Sequence, residues 1–236
     1  MQEYGLPSDE EIDIWMLPRG PHGVERKTIT ASQRARMLYA IVAVVAEQGY
    51  ADTTVGDIVR VARLSRKTFY EQFANKESCF IAAYTAVHYG LVRAVIGSQR
   101  AGASWDERVR DSVRAYLGFF RDKPEMSMAL LVEIHAVGKN AWDCRNWGHD
   151  RFARMQRTLY ELRRREHPQL PELPNELFWA AIAGIEEMVA MYVRDGRAAE
   201  LLSLEDKLRF FIRSLYGGSA TPADAVSEIH GGAAPS

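Results

Sequence analysis

Between Thr53 and Phe73 the chain gathers side chains that can bind phosphate and read base edges. In Ser65-Arg66-Lys67-Thr68-Phe69-Tyr70-Glu71-Gln72-Phe73 two apolar rings stand four residues apart, so a helix through the stretch has one anchored face. The other face carries Arg66, Lys67, Thr68, Tyr70 and Gln72. Ser65 is an N-cap at its head, where the free N–H groups of a helix already attract anions. Arg66 and Lys67 can donate to guanine O6 and N7, while Thr68 and Tyr70 can hydrogen-bond phosphates. A solvated basic corner of a helical bundle accounts for the apolar spacing equally well. It does not account for cations and hydroxyls collecting on one short helix.

The preceding residues supply the support. Thr54 followed three residues later by Asp57 forms a capping box with a carboxylate in the return position. It starts a helix of about two turns that buries Val55, Ile58, Val59 and Ala62, and Leu64 is an apolar plug before the next helix. Two short helices joined by a tight turn make a helix-turn-helix, whose second helix lies in the major groove.

Charge is segregated along the chain. The net charge is −1 over 236 residues, which provides no overall basic field. Met1 to Leu17 nevertheless holds five acids and no base, and Pro18 to Lys76 holds ten bases against five acids. A local basic segment marks a nucleic-acid contact better than the total does. Arg19, Arg26 and Lys27 stand just ahead of the first helix, either as a basic arm for a neighbouring minor groove or backbone, or as a linker with incidental charge. The acidic run from Asp9 to Asp13 could fold back on the basic segment when DNA is absent.

A composition 47% hydrophobic and 26% charged excludes a wholly disordered or collagen-like chain. No stretch of the sequence reaches the roughly 18–20 apolar residues that span a bilayer, and the acidic N-terminus is unlike a signal peptide, so no membrane is expected. Cys79 and Cys144 match no metal-ligand spacing and read as free thiols, which points to the cytoplasm. Helical spacing recurs almost throughout: Leu38 to Val45 ahead of Gly49, then Phe80 to Leu91, Val113 to Phe120, Met126 to Val137, Phe152 to Leu162, Leu177 to Val193 and Leu204 to Leu215. The fold class is all-α with about nine helices. The implied organisation is an arm over 1–27, a DNA-binding domain over 28–76, an effector and dimerisation domain over 77–217 and a Gly/Pro-rich tail over 218–236.

Gly49-Tyr50-Ala51-Asp52-Thr53-Thr54-Val55, Asp57-Ile58, Ser65 to Tyr70 and Phe73-Ala74-Asn75-Lys76-Glu77 together resemble the N-terminal domain of TetR-family transcriptional regulators over about Ser32 to Phe80. Leu17 to Gly23 also looks like the leader of some actinobacterial members. The resemblance implies a three-helix domain with Ser32 to Gln48 as its supporting helix. It implies that Arg66, Lys67, Thr68 and Tyr70, behind Ser65, face double-stranded DNA, with Thr53, Thr54 and Lys76 near its backbone. The family usually has glycine where this chain has Arg63. A left-handed residue there would cost about 1 kcal/mol, so either the turn is rearranged or an Arg63–phosphate contact offsets the cost, and the contact is the expectation.

The resemblance assigns the remaining two-thirds to dimerisation and small-molecule binding. The stretch from Pro174 to Arg194 is apolar around much of a helix and must be buried on more than one face. With the next helix it places a homodimer interface at Trp179, Ile182, Ile185, Met188, Val189, Tyr192, Leu208, Phe211, Ile212 and Leu215. An apolar or aromatic effector is expected among Trp105, Tyr116, Phe120, Met128, Trp142, Phe152, Met155 and Phe178, with Glu133 and His135 as polar groups beside Asn140 and Arg145. Each aromatic or methionine taken singly reads more readily as core than as pocket, and the pocket follows mainly from the resemblance. Glu186 and Glu187 interrupt an apolar helix and point about 100° apart on it, one a rim charge and one partly buried and paired. Glu133, His135, Asp143, Cys144, His149 and Asp150 lie close in sequence, but Glu133 and His135 share no helix face, and no metal or nucleophile motif appears. The sequence therefore reads as a DNA-binding regulator, a ligand-responsive repressor that binds a palindromic operator as a dimer, with no enzymatic activity, cofactor or metal. The alternatives are a DNA-binding protein without effector and an all-α enzyme or carrier with a vestigial helix-turn-helix.

Overall fold

The computed structural model describes residues 26–217. Among them are nine α-helices and no strand, in keeping with the helical periodicity. Helices α1 (Arg26–Gln48), α2 (Val55–Ala62) and α3 (Arg66–Tyr70) form the N-terminal bundle, and α4 (Lys76–Gly97) runs from it into the larger part. There follow α5 (Trp105–Arg121), α6 (Pro124–Ser127), α7 (Lys139–Glu166), α8 (Asn175–Arg194) and α9 (Glu205–Tyr216). The fold expected from the sequence is thus observed, but three boundaries differ.

Arg26 and Lys27 lie in the first turn of α1 rather than ahead of it, and Arg19 is outside the described residues, as are Asp9 to Asp13. Helix α7 spans 28 residues, far beyond the apolar run from Phe152 to Leu162. Its first half turns Ala141, Arg145, Gly148 and His149 inward, and a buried Arg, Gly and His leave no apolar stripe in the sequence. The stretch from Met126 to Val137 is not one helix. After α6 it passes through a π-turn over Met128–Val132 and a 3₁₀ turn over Glu133–Ala136. Consecutive Ala129, Leu130 and Leu131 are all buried there, which one face of a regular helix cannot achieve.

The buried side chains form two cores. The first joins α1, α2 and α3 to the opening half of α4 (Cys79, Phe80, Ala83, Val87) and to Leu130, Ile134 and Ala141. The second joins Leu91, Val92 and Val95 of α4 to α5, α7, α8 and α9. Packing does not break at residue 76, because α4 belongs to both. Its start is fixed by a capping box in which Asn75 accepts the Ser78 N–H at 2.8 Å and Ser78 accepts the Asn75 N–H at 3.2 Å. By length and composition α4 is also apolar enough to cross a membrane, contrary to the sequence expectation, but 72% of that stretch is buried inside the protein.

Candidate nucleic-acid interface and ligand cavity

The helix-turn-helix is held by local polar contacts. Thr54 Oγ1 accepts the Asp57 N–H at 3.2 Å, and Asp57 Oδ2 accepts from the Thr54 N–H at 3.2 Å and its hydroxyl at 2.6 Å. Those hydrogen bonds from Thr54, ahead of the one from Arg60, hold the Asp57 carboxyl below its usual range. Helix α2 ends on Arg63 in the left-handed region, φ 55° and ψ 50°, so the turn keeps the geometry that favours glycine. The Leu64 N–H reaches back to Val59 O at 2.9 Å, the long bond of a Schellman turn. Arg36 of α1 clamps the turn from outside by donating to the carbonyls of Ala62 and Arg63. Its place in the sequence gave no signal of this role.

At the head of α3, Ser65 Oγ accepts the Thr68 N–H at 3.0 Å and lies 2.8 Å from Thr68 Oγ1. Both hydroxyls are therefore engaged with each other. Helix α3 is shorter than two turns, and Phe73 lies beyond it, tied by its N–H to Phe69 O at 2.9 Å. Phe69 is fully buried and anchors the helix, while Arg66, Lys67 and Tyr70 are exposed, Tyr70 at 59%. Arg66 leans back over α2, where a Cβ on Gly56 would lie 3.0 Å from its Nη2. Arg63 and Thr54 are exposed beside this face.

Two residues expected near DNA serve the interior instead. Thr53 is 1% exposed and donates its hydroxyl to Gly49 O at 2.7 Å, because the turn after α1 closes over it. Lys76 Nζ donates to the carbonyls of Tyr50, Ala51 and Thr53 at 2.8, 3.1 and 2.9 Å and sits over the Tyr50 ring. An ammonium has three donors, and these carbonyls take all of them. Glu133, expected in the pocket, accepts the Tyr50 N–H at 2.8 Å and so secures the same turn from the other side.

The larger part encloses a free volume of about 110 Å³ in the second core. Its lining includes Trp105, Tyr116, Phe120, Phe152 and Met155, as the sequence suggested. Four other expected residues are elsewhere. Met128 packs against the second core without reaching the cavity. Phe178 is stacked behind the wall, between Tyr160 and Tyr216. His135 and Trp142 are exposed and pack on each other, 5.2 Å between ring centres. The polar part of the lining was missed. Tyr84, His88, His149 and Glu186 all face the cavity. Glu186 Oε1 accepts from Arg145 Nε at 2.6 Å, and its Oε2 lies 2.8 Å from His149 Nε2. Burial pushes the Glu186 carboxyl up, but His149 and then Arg145 together outweigh it and the net shift is downward. His88 is driven down to about 3, by burial first and the Arg151 charge second, and is neutral. The one sequence signal was a carboxylate interrupting an apolar helix; its partners lie 41 and 37 residues away.

The expected dimer surface divides in two. Ile182, Ile185, Val189, Leu208 and Ile212 are buried within the chain itself, because α8 and α9 pack on each other and on the cavity. Trp179, Met188, Tyr192, Phe211 and Leu215 are partly exposed, and Met191 is half exposed.

Residues 38–83 match the family model of bacterial regulatory proteins, tetR family. Of curated protein sequences, none matches the chain. Solved structures of the same fold include the fatty acid degradation regulator FadR from Bacillus halodurans, at 16% identity and TM-score 0.66 over 86% of this chain and 99% of that one. FadR from Bacillus subtilis, solved with stearoyl-CoA, aligns at 18% identity and TM-score 0.68 over 78% and 98%. A TetR-like regulator from Rhodococcus sp. RHA1 aligns at 21% identity and TM-score 0.57 over 85% and 100%. The fold is that of a helix-turn-helix regulator with a larger helical domain. The N-terminal segment thus matches bacterial regulatory proteins of the tetR family, and the chain as a whole shares the fold of these solved regulators.

Proposed function

We propose that the protein binds a palindromic operator in double-stranded DNA as a homodimer and releases it when a small apolar molecule enters the cavity. The observation that carries the DNA contact is the outer face of α3. The caps, the turn and Lys76 are satisfied internally, whereas Arg66, Lys67 and Tyr70 are presented outward on a helix anchored by Phe69. Arg63 stands beside them and supplies a phosphate contact. One such helix reads few bases, and a twofold dimer supplies two half-sites. The outward residues Trp179, Met188, Met191, Phe211 and Leu215 of α8 and α9 form the facing surface.

Coupling runs through two elements shared by the cores. Helix α4 packs under the helix-turn-helix with its first half and lines the cavity with His88, Leu91 and Val95. The π-turn places Leu130 and Leu131 on the cavity wall, and Glu133 immediately after it holds the backbone of Tyr50. An occupant that fits one arrangement of these elements better shifts the population toward it, by its differential affinity alone. The stearoyl-CoA bound by the Bacillus subtilis FadR supports an apolar ligand in this fold. The modest cavity favours a second reading, a DNA-binding regulator without effector.

The test is capture of genomic fragments by the purified protein at two salt concentrations. Retention of a few palindromic sites at the higher salt is the expected result. Weak retention everywhere that vanishes with salt means phosphate contacts alone and overturns the reading.

A further inference from the structure

The cavity lining is mostly apolar, and not all of its polar groups are satisfied. His149 is 1% exposed and gives Nε2 to Glu186, while its Nδ1 has no partner. His88 is 7% exposed, and its Nε2 also has none. The hydroxyls of Tyr84 and Tyr116 line the same space and form no hydrogen bond among the described residues. These groups are close together. The charge of Glu186 is felt at Tyr84, Tyr116 and His88. A Cβ on Gly148, next to His149, would lie 2.9 Å from His88 Cε1 and 3.3 Å from the Tyr84 hydroxyl. Two buried nitrogens without partners, beside two phenols that also lack one, are costly unless something occupies the cavity.

Their chemistry restricts the occupant. Glu186 is already engaged on both oxygens, by Arg145 at 2.6 Å and His149 at 2.8 Å, so His149 Nδ1 is the atom left to an occupant. A ring that donates its Nε2–H to Glu186 offers Nδ1 as a lone-pair acceptor. A carboxylate has no proton for that nitrogen and would face Glu186 in a low dielectric. A hydroxyl can donate to the imidazole and accept from a phenol at once.

We infer that the cavity binds a neutral apolar molecule bearing a hydroxyl, an alcohol or phenol, whose O–H donates to His149 Nδ1 and whose oxygen accepts from Tyr84 or Tyr116. This rests on the reading of the cavity as an effector site. The free volume of about 110 Å³ is below the about 150 Å³ of a dry cavity that accepts benzene, so the occupant is no larger than a single small ring and the walls must give slightly to admit it.

Calorimetric titration of the full chain with toluene, 4-methylphenol, 4-methylanisole and 4-methylbenzoate tests it. The phenol is expected to bind at least about tenfold more tightly than the other three. The anisole accepts but cannot donate, so it isolates the His149 contact. In His149→Phe the phenol and anisole should bind within about twofold of each other. Because that change also removes a partner of Glu186, Tyr84→Phe and Tyr116→Phe provide milder checks; at least one should weaken the phenol several-fold and leave toluene unchanged. Benzoate binding best, or a phenol no tighter than toluene, overturns the inference and leaves the effector site standing. A phenol preference unchanged in all three variants overturns the residue assignment. No binding by any of the four overturns both the inference and the effector reading.

Discussion

The two cores of the molecule handle polar groups in opposite ways. Around the helix-turn-helix, Thr54 with Asp57, Ser65 with Thr68 and Asn75 with Ser78 each satisfy one another three residues apart. Around the cavity, Glu186 finds Arg145 and His149 from another helix, and His88 finds nothing. The first arrangement makes a rigid platform whose remaining charges point outward. The second keeps unsatisfied groups turned into free space, which suits a site that waits for a ligand.

The largest effect should come from breaking the long-range cluster. Glu186→Leu leaves Arg145 buried without its counter-charge and should cost about 3–5 kcal/mol in urea unfolding. A loss below about 1 kcal/mol would show that water reaches the cluster and that the two cores do not differ in this way.

The next effect depends on pH. The folded chain holds His88 near 3, while the unfolded chain binds its proton near the ordinary value of 6.5. Between these values the unfolded state holds more protons, so stability falls as pH falls. From pH 7 to pH 5 the His88 contribution should drop by about 2 kcal/mol. His88→Phe should remove that part of the slope, as read by urea unfolding at the two pH values; an unchanged slope would mean that His88 protonates freely within the fold.

Smaller effects are expected in the platform. Thr54→Ala removes a cap and should cost about 1 kcal/mol. Arg63→Gly relieves a left-handed residue and should stabilise by about 1 kcal/mol while weakening DNA binding, if Arg63 meets phosphate as proposed. A variant that gains stability and keeps full DNA affinity would leave the arginine without a role at the interface.

The same contrast explains what the sequence could reveal. The capping boxes, Phe69 and the exposed Arg66 and Lys67 lie within one short segment, where spacing converts directly into geometry. Lys76 defeated that logic. The family resemblance implied a place near the DNA backbone, but the fold brings three carbonyls of the Gly49–Thr53 turn to its ammonium. Glu133 was misplaced for the same reason, since Tyr50 lies 83 residues away. In the second core the aromatic lining was partly legible because apolar bulk is visible in a sequence. Ile182 and Ile185 were not assignable between core and dimer surface, because a helix apolar on several faces does not say which neighbour covers each. Gly148 and His149 were missed because neither contributes to an apolar stripe.

The most direct measurement compares surfaces. A fragment recovered from the genome should be titrated with wild type, Arg66→Ala, Lys67→Ala and, as a control far from α3 in the chain, the exposed Arg100→Ala. If α3 enters the major groove, at least one of the first two changes should cost about 1–3 kcal/mol of affinity where it reads a base, and Arg100→Ala should cost nothing measurable. Equal affinity for all four proteins would contradict the assignment of α3 as the DNA-reading helix.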